Sequence, residues 1–535
     1  MDRRMIRGTT WETIRSDFRW RIPGRFNMAR ACCDDWAAAA PDRVALRDRP
    51  EDGAARDWTF GALKDASDRL ATALAARGLR PGEVVGVLLP QGPEVLIAHF
   101  AAMKLGAVSL PLFALFGPDA LGYRLGDARA RVVITDAAGL AKIDGIRAGL
   151  PDLAEVIAVG GGPAPCRDFW AEIAAARPVA APADTLAEDP AILIYTSGTT
   201  GAAKGVLHAH RLLLGHLPNV EVSQGLFPQP GAVGWTPADW AWIGGLMDLA
   251  MPFLYHGIPV VARRMRKFDP DAAFRLMRDE GVTNMFLPPT ALKLMRGARV
   301  PAGLRVRAVA SGGESLGAEM LDWGRSVLGA PINEIYGQTE CNLVISSAEG
   351  LFETRPGWMG RASPGAEVAV IGAEGRPVAD GETGEIAVRR GHPAMFLRYL
   401  NRPEATGAKF SGDWMRTGDL GRRDVDGYFT YVARDDDIIS SAGYRVGPSE
   451  IENCLTGHPD VVMAACVGVP DPIRGEAIKA FVVLREGADW QGLPEALAAR
   501  VRERLSPHLV PRGFERRDSL PMTATGKIMR RELRG

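Results

Sequence analysis

Four serine and threonine hydroxyls, three glycines and one lysine fall within ten residues in the run Tyr195-Thr-Ser-Gly-Thr-Thr-Gly-Ala-Ala-Lys-Gly-Val206, directly after the apolar stretch Ala191 to Tyr195. Such a turn can hold a polyphosphate. Gly198, Gly201 and Gly205 let the main chain present its N–H groups to an anion, Thr196, Ser197, Thr199 and Thr200 add hydroxyl donors, and Lys204 brings positive charge. The spacing is not that of a Walker A loop, which needs Gly-x-x-x-x-Gly-Lys and then Ser or Thr; here Lys204 comes three residues after Gly201 and precedes Gly205. Two carboxylates stand out further along. Glu340 ends the segment Glu334-Ile-Tyr-Gly-Gln-Thr-Glu340, and a carboxylate oxygen is the kind of ligand a hard cation wants. Asp419, in Thr417-Gly-Asp419, can accept both hydroxyls of a ribose. Either carboxylate alone is commonplace.

Taken in order, six segments resemble the adenylate-forming superfamily, which includes acyl-CoA synthetases, adenylation domains of nonribosomal peptide synthetases and firefly luciferase. The resemblance covers nearly the whole chain and runs nearest to the medium-chain acyl-CoA synthetase branch. The first segment resembles the family's phosphate loop, with Ala203 where many relatives have proline. The second, Ser311-Gly-Gly-Glu-Ser315, is similar to the loop that packs on adenine, so Gly313, Glu314 and Ser315 are expected at the nucleotide. In the third, the resemblance implies nucleotide contacts from Glu334, Ile335, Tyr336, Gly337 and Gln338, an α-phosphate contact from Thr339, and Mg²⁺ on Glu340. The fourth is Thr417-Gly-Asp419. In the fifth, Arg434-Asp-Asp-Asp437 implies a ribose-contacting Arg434 and a hinge at Asp436, with Ala433 where most relatives have glycine. In the sixth, Leu520-Pro-Met-Thr-Ala-Thr-Gly-Lys-Ile-Met-Arg530, Lys527 resembles the lysine that bridges substrate carboxylate and α-phosphate.

This resemblance implies an ATP-dependent, two-step ligation. A carboxylate is a poor electrophile, so it attacks the α-phosphorus of ATP, pyrophosphate leaves, and a thiolate then attacks the acyl carbonyl and expels AMP. Lys204, Lys527, Thr339 and Mg²⁺ at Glu340 oppose the negative charge of both partners in the first step. Coenzyme A as the thiol calls for arginines outside the ATP pocket; by resemblance these are Arg474 and Arg512, with Ala442, Gly443 and Tyr444 on the same small domain. Rotation about Asp436 would let Lys527 and the 443–445 loop face the site in turn. Acetyl-CoA synthetases carry tryptophan at the position of Gly337, so glycine is expected to leave room for a longer acid. Trp235, Trp240, Gly244 and Arg445 are the other acyl-site expectations. The stretch Cys341-Asn342-Leu343 is a further pocket wall, where most medium-chain relatives have Thr-Gly in place of Cys341-Asn342. A medium-chain or branched aliphatic acid is the expected substrate, with a small aromatic acid as the alternative. A stand-alone adenylation enzyme loading a carrier protein would keep the ATP segments and lack the coenzyme A arginines. A dead acyl-nucleotide-binding regulator would have lost Lys527 or Glu340. The resemblance also raises acetylation of Lys527 by a lysine acetyltransferase, and it leaves a homo-oligomer open.

These residues need elements that hold loops at strand ends. From Thr59 onward helical patterns alternate with short apolar strands, as in a layered α/β architecture. Thr59 can cap a helix with the stripe Leu63, Ala66, Leu70 and Leu74. Strands are expected at 84–89, 108–112, 131–135, 259–262, 306–310 and 332–336; the last two run into polar, Gly-containing loops, where open α/β sheets place ligands. Between Glu367 and Val432 short alternating strands with glycine turns suggest a β-rich subdomain, at about 350–433. After Asp436 the chain restarts with helix 449–455, strands 463–468 and 477–484, and helix 491–505. The expected division is an α/β N-terminal AMP-binding domain, 1–435, made of several layers, and a small mobile α+β C-terminal lid, 436–535.

The gross numbers agree with a globular enzyme. At 535 residues more than one core is expected, and 47% hydrophobic with 24% charged residues is ordinary. Formal net charge is zero, which removes a long-range electrostatic case for nucleic acid or an anionic membrane. Six cysteines without C-x-x-C or zinc spacing fit reduced thiols in a cytosol. The first 25 residues lack the apolar core of a secretory signal, and no segment has the roughly 18 uninterrupted apolar residues of a membrane span. A cytoplasmic protein is expected.

Overall fold

The computed structural model describes residues 3–179, 181–196, 203–313, 316–434, 437–441, 444–471, 475–523 and 527–534, without the side chains of 440, 444, 445 and 475. Three sheets organise them.

An eight-stranded sheet has the strands Val108–Pro111, Val84–Leu88, Val132–Asp136 and Glu155–Val159 at its centre, all parallel. Val84–Leu88 is buried throughout, because helices cover both faces of a parallel sheet. One of these helices, Phe60–Ala76, starts where its cap predicts: Thr59 Oγ1 accepts from Ala62 N at 3.1 Å. Its stripe Leu63, Leu70 and Leu74 has no exposed surface. On the other side the strand Pro190–Thr196 turns back as the antiparallel strand Lys204–Ala209, with Thr196 opposite Lys204. The two described ends of the hydroxyl-rich run, Thr196 and Lys204, thus lie side by side on paired strands.

The second sheet has fourteen strands. Val260–Ala262, Gly234–Trp235, Asn284–Phe286, Ala308–Gly312 and Ile332–Gln338 run parallel. Pairing then becomes antiparallel through Asn342–Ser346, Gly360–Ala362, Tyr428–Arg434, Trp414–Arg423, Thr383–Arg389 and Val368–Ile371. The β-rich stretch therefore forms the antiparallel end of this large sheet, joined to it at Gly360–Ala362. Ile332–Gln338 runs two residues beyond its expected end and returns at once as Asn342–Ser346, a strand that the sequence pattern does not mark.

The third sheet belongs to a small C-terminal domain. Ile439–Ser441, Tyr444–Val446, Gly475–Leu484, Val461–Asp471 and Gly513–Arg517 pair there, and helices Pro448–Thr456 and Leu493–Arg504 cover it. Its own core includes Ile451, Leu455, Cys466, Val482, Leu497 and Val501. An ion pair from Arg500 to Glu319, 2.7 Å, reaches the large domain. Among the described residues no helix is long and apolar enough to cross a membrane.

Candidate active site

The end of the strand Ile332–Gln338 carries a connected set of side chains. Tyr336 donates its hydroxyl to Asp419 Oδ2 at 2.8 Å, and Gln338 Nε2 donates to the same oxygen at 2.6 Å and to the Thr417 carbonyl at 2.8 Å. Asp419 stands opposite Arg434 in the neighbouring strand pair, with Arg434 Nε 3.8 Å from its Oδ1. Lys409 Nζ donates to Gln338 Oε1 and to the Thr417 carbonyl, each at 3.3 Å. Four residues expected at the nucleotide are thereby brought together: Tyr336, Gln338, Asp419 and Arg434. Glu334 sits deeper. Its Oε1 accepts from Leu316 N at 2.9 Å, tying the turn after Gly313 to the next strand, while Oε2 has no hydrogen bond. Burial pushes its carboxyl from the ordinary 4.5 up to about 7. Ile335 lies in the apolar core beneath.

Thr339 and Glu340 occupy the turn between Ile332–Gln338 and Asn342–Ser346. The Tyr399 hydroxyl donates to Glu340 Oε1, and Phe396 N donates to the Glu340 carbonyl at 2.8 Å. Tyr399 in turn lies under Lys204, whose Nζ is 5.2 Å from the ring centroid. The short strand Arg398–Tyr399 pairs with Lys204–Ala209, so one tyrosine contacts both the lysine and the glutamate. His208 is buried beside Glu340 and the Thr339 backbone; desolvation lowers its pKa from 6.5 to about 4, which keeps the imidazole neutral.

Lys527 comes from the C-terminal domain on a closed turn: Thr523 N donates to the Lys527 carbonyl at 2.8 Å and Lys527 N to Thr523 Oγ1 at 3.1 Å. Arg530 anchors the segment. It reaches both oxygens of Glu452, at 2.9 and 2.6 Å, and Asp437 at 3.4 Å. The lysine stem lies against the large domain at Gly313, where an added Cβ would be 3.6 Å from Lys527 Cε and 3.9 Å from the Trp242 ring.

Trp242 opens onto the expected acyl side. Its ring lies 5.4 Å from Phe286, and both rings crowd Gly244, where a Cβ would come within 2.9 to 3.0 Å of them. Trp235 and Trp240, by contrast, are fully buried core residues. Gly337 also reads differently from its sequence expectation. A Cβ there would lie 1.7 Å from the Asn342 carbonyl oxygen, so the glycine permits a close backbone approach, and the room it was expected to leave is filled by the returning strand. Asn342 itself has φ of 56°, in the left-handed region where asparagine is next best to glycine, which accounts for its standing where relatives have glycine.

Ser197, Gly198, Thr199, Thr200, Gly201, Glu314, Ser315, Asp436, Ala442, Gly443 and Arg474 lie outside the described residues. Tyr444 and Arg445 are described only as backbone of the strand Tyr444–Val446. Thr196 is opposite Lys204 in the strand pair, and Arg512 is exposed, its N–H donating to the Ile478 carbonyl at 2.8 Å. Tyr399, Lys409, His208 and Trp242 were not singled out from sequence. Only Trp242 carried a local sign, the tryptophan-rich run that contains it. The others meet the site through pairings far apart in the chain.

A mixed α/β body with a hairpin-borne lysine, a strand-end carboxylate set and a second lysine delivered by a small C-terminal domain defines an adenylate-forming enzyme. The family model "AMP-binding enzyme" matches residues 33–400 and "AMP-binding enzyme C-terminal domain" matches residues 450–527; the chain belongs to this family, within the adenylate-forming superfamily. It is 32% identical over 526 residues to acetyl-coenzyme A synthetase of Bacillus subtilis (strain 168), covering 96% of this chain and 90% of that protein. It is 30% identical over 545 residues to acyl-coenzyme A synthetase ACSM3, mitochondrial, of Mus musculus, covering 98% and 93%. The structure is similar to that of the anthranilate CoA ligase AuaEII in complex with anthranoyl-AMP, with a TM-score of 0.88, 28% identity, and coverage of 96% of this chain and 97% of that one. The chain is accordingly an ATP-binding, AMP-forming ligase of the acyl-CoA synthetase kind.

Proposed function

We propose that the chain activates a carboxylic acid larger than acetate, a medium-chain or branched aliphatic acid, as its acyl-AMP and transfers the acyl group to coenzyme A. The observation that carries the adenylation part of this reading is the approach of Lys527 to Gly313 and Trp242, in the same structure in which Lys204 and Glu340 share Tyr399. On this reading two cations borne by different domains serve one site beside an apolar wall of Trp242, Phe286 and Leu343.

The residues divide the work by charge. Asp419, held by Tyr336 and Gln338, offers a carboxylate oxygen to the ribose hydroxyls, with Arg434 beside it. Lys204 serves the phosphates, and Thr339 the α-phosphate. Lys527 draws the acid's carboxylate towards that phosphorus by neutralising the repulsion between two anions. Glu340 suits a divalent cation: Tyr399 occupies one carboxylate oxygen, and the other has no side-chain hydrogen bond among the described residues. Bound there, Mg²⁺ would supply charge neutralisation at the triphosphate. The neutral His208 adds no competing positive charge behind Glu340. For thioester formation the domain turns about Asp436 and presents the 442–445 loop, with Arg474 and Arg512 for the anionic nucleotide of coenzyme A.

A small aromatic acid is the second reading, favoured by the fold likeness to an anthranilate ligase and by the two rings at Gly244. A screen of pyrophosphate release over acids of graded length and shape, with and without coenzyme A, tests both. Aliphatic acids of intermediate length should give the highest kcat/KM, and AMP release should depend on coenzyme A. Acetate as the best substrate would overturn the length assignment, and turnover only with a carrier protein would overturn the thiol.

A further inference from the structure

Gly457, which ends the helix Pro448–Thr456 in the small domain, has an ordinary right-handed backbone, with φ of −70° and ψ of −7°. Nothing in that conformation requires glycine. What needs the missing side chain is space: a Cβ would lie 2.3 Å from Arg500 Nη2 and 2.7 Å from Glu319 Oε1. The glycine makes room for an ion pair between the two domains, in which Arg500 Nη2 is 2.7 Å from Glu319 Oε1.

The pair is supported from both sides. Arg500, on the helix Leu493–Arg504, donates from Nε to the Cys454 carbonyl at 2.7 Å, which fixes its guanidinium within the small domain. Glu319, in the helix Ala318–Trp323 of the large domain, stands six residues after Gly313, where the Lys527 stem rests. Two more arginines flank the same carboxylate: Arg504 of the small domain at 4.0 Å and Arg296 of the large domain at 3.7 Å. One negative charge therefore stands between positive charges on either side of the domain boundary. With it the boundary attracts; without it Arg296 would meet Arg500 and Arg504 as like charges.

We infer that Glu319 is a positioning residue for Lys527: through Arg500 it holds the small domain where the lysine serves acid activation, and so sets the balance between the two half-reactions. This inference rests on the acyl-CoA synthetase reading above. The pair forms in the orientation that brings Lys527 to Gly313, and a contact made in one of two orientations shifts the population towards it. Acid activation gains from the pair. Thioester formation, which needs the domain to turn, must first break it.

Both half-reactions are measured in the full chain with the acid that gives the highest kcat/KM in the screen above, hexanoate on that reading. They are acid-dependent ATP–pyrophosphate exchange, and acyl-CoA formation from the supplied acyl-AMP. In Glu319→Gln the ratio of exchange to thioester formation should fall by about fivefold, the scale of a partly exposed ion pair, with exchange slowed and thioester formation kept or raised. Gly457→Ala leaves every charge in place and takes only the space of the pair, and it should move the ratio the same way. Both variants should melt as the wild type does, since each domain has its own core. At about 0.5 M salt the gap between wild type and Glu319→Gln should narrow, because partly exposed charges are then screened. A purely structural role would lower both half-reactions together. That outcome overturns the inference, as does an unchanged ratio in either variant or a gap that salt leaves as it is. Absence of pyrophosphate exchange with every acid of the screen would instead overturn the ligase reading, and this inference with it.

Discussion

The nucleotide side and the lysine side of this site are built in opposite ways. Tyr336, Gln338, Asp419 and Arg434 sit on strands of one fourteen-stranded sheet, the last two on neighbouring strands, and hold each other through short hydrogen bonds and an ion pair. Lys527 hangs on a turn closed by Thr523 and anchored by Arg530 to Glu452 and Asp437, all within the small domain. That domain has its own core and reaches Glu319 through the Arg500 ion pair. On the function proposed above, the difference amounts to a division of labour: groups needed in both half-reactions would be fixed in the large sheet, and the group needed in one would be carried on a part that turns as a unit.

The most drastic way to break the comparison is to stop the small domain from turning. Asp436→Pro should leave one half-reaction and abolish the other, read as pyrophosphate exchange against thioester formation from supplied acyl-AMP; near wild-type rates for both would contradict the hinge. Glu340→Gln attacks the fixed side and should lower acyl-adenylate formation by about two to three orders of magnitude, the scale for a group that stabilises transition-state charge, with a weaker apparent affinity for Mg²⁺. Tyr399→Phe keeps the ring under Lys204 and removes only the hydroxyl on Glu340, so a loss of roughly tenfold is expected, again with altered Mg²⁺ dependence. An unchanged metal titration would show that Tyr399 does not position Glu340.

The smallest effect is on stability. Because burial raises the Glu334 carboxyl from 4.5 to about 7, its contribution to stability is complete below about pH 4.5 and is lost as pH rises through 7. The full span is on the order of 3 kcal/mol. Glu334→Gln, which cannot ionise, should flatten this part of the pH dependence, so denaturant unfolding at pH 5 and pH 8 should differ less in the variant than in the wild type. Equal pH dependence in both would place the titrating group elsewhere.

Much of the scaffold was legible because it is local. The Thr59 cap, the buried strand Val84–Leu88 and the strands that end at Gly312 and Gln338 follow from side-chain periodicity and turn residues. The strand Asn342–Ser346 was not legible, since it begins at a residue in the left-handed region after a three-residue turn, with no glycine to mark it. The same hidden return reversed the meaning of Gly337, whose sequence suggests a cavity and whose surroundings show a backbone contact. Trp235 and Trp240 illustrate another limit: a tryptophan-rich run marks a wall, but only packing tells that these two face the core while Trp242 faces Gly313. Tyr399 lies 59 residues beyond Glu340, a separation across which no sequence period carries information.

The central claim is that Lys527 serves acid activation and is dispensable afterwards. Its most direct test is to measure both half-reactions of Lys527→Ala on the same preparation: acid-dependent ATP–pyrophosphate exchange, and acyl-CoA formation from supplied acyl-AMP. The account predicts loss of the exchange by about a hundredfold or more, with thioester formation close to wild type. Equal loss in both, or exchange at the wild-type rate, would contradict it.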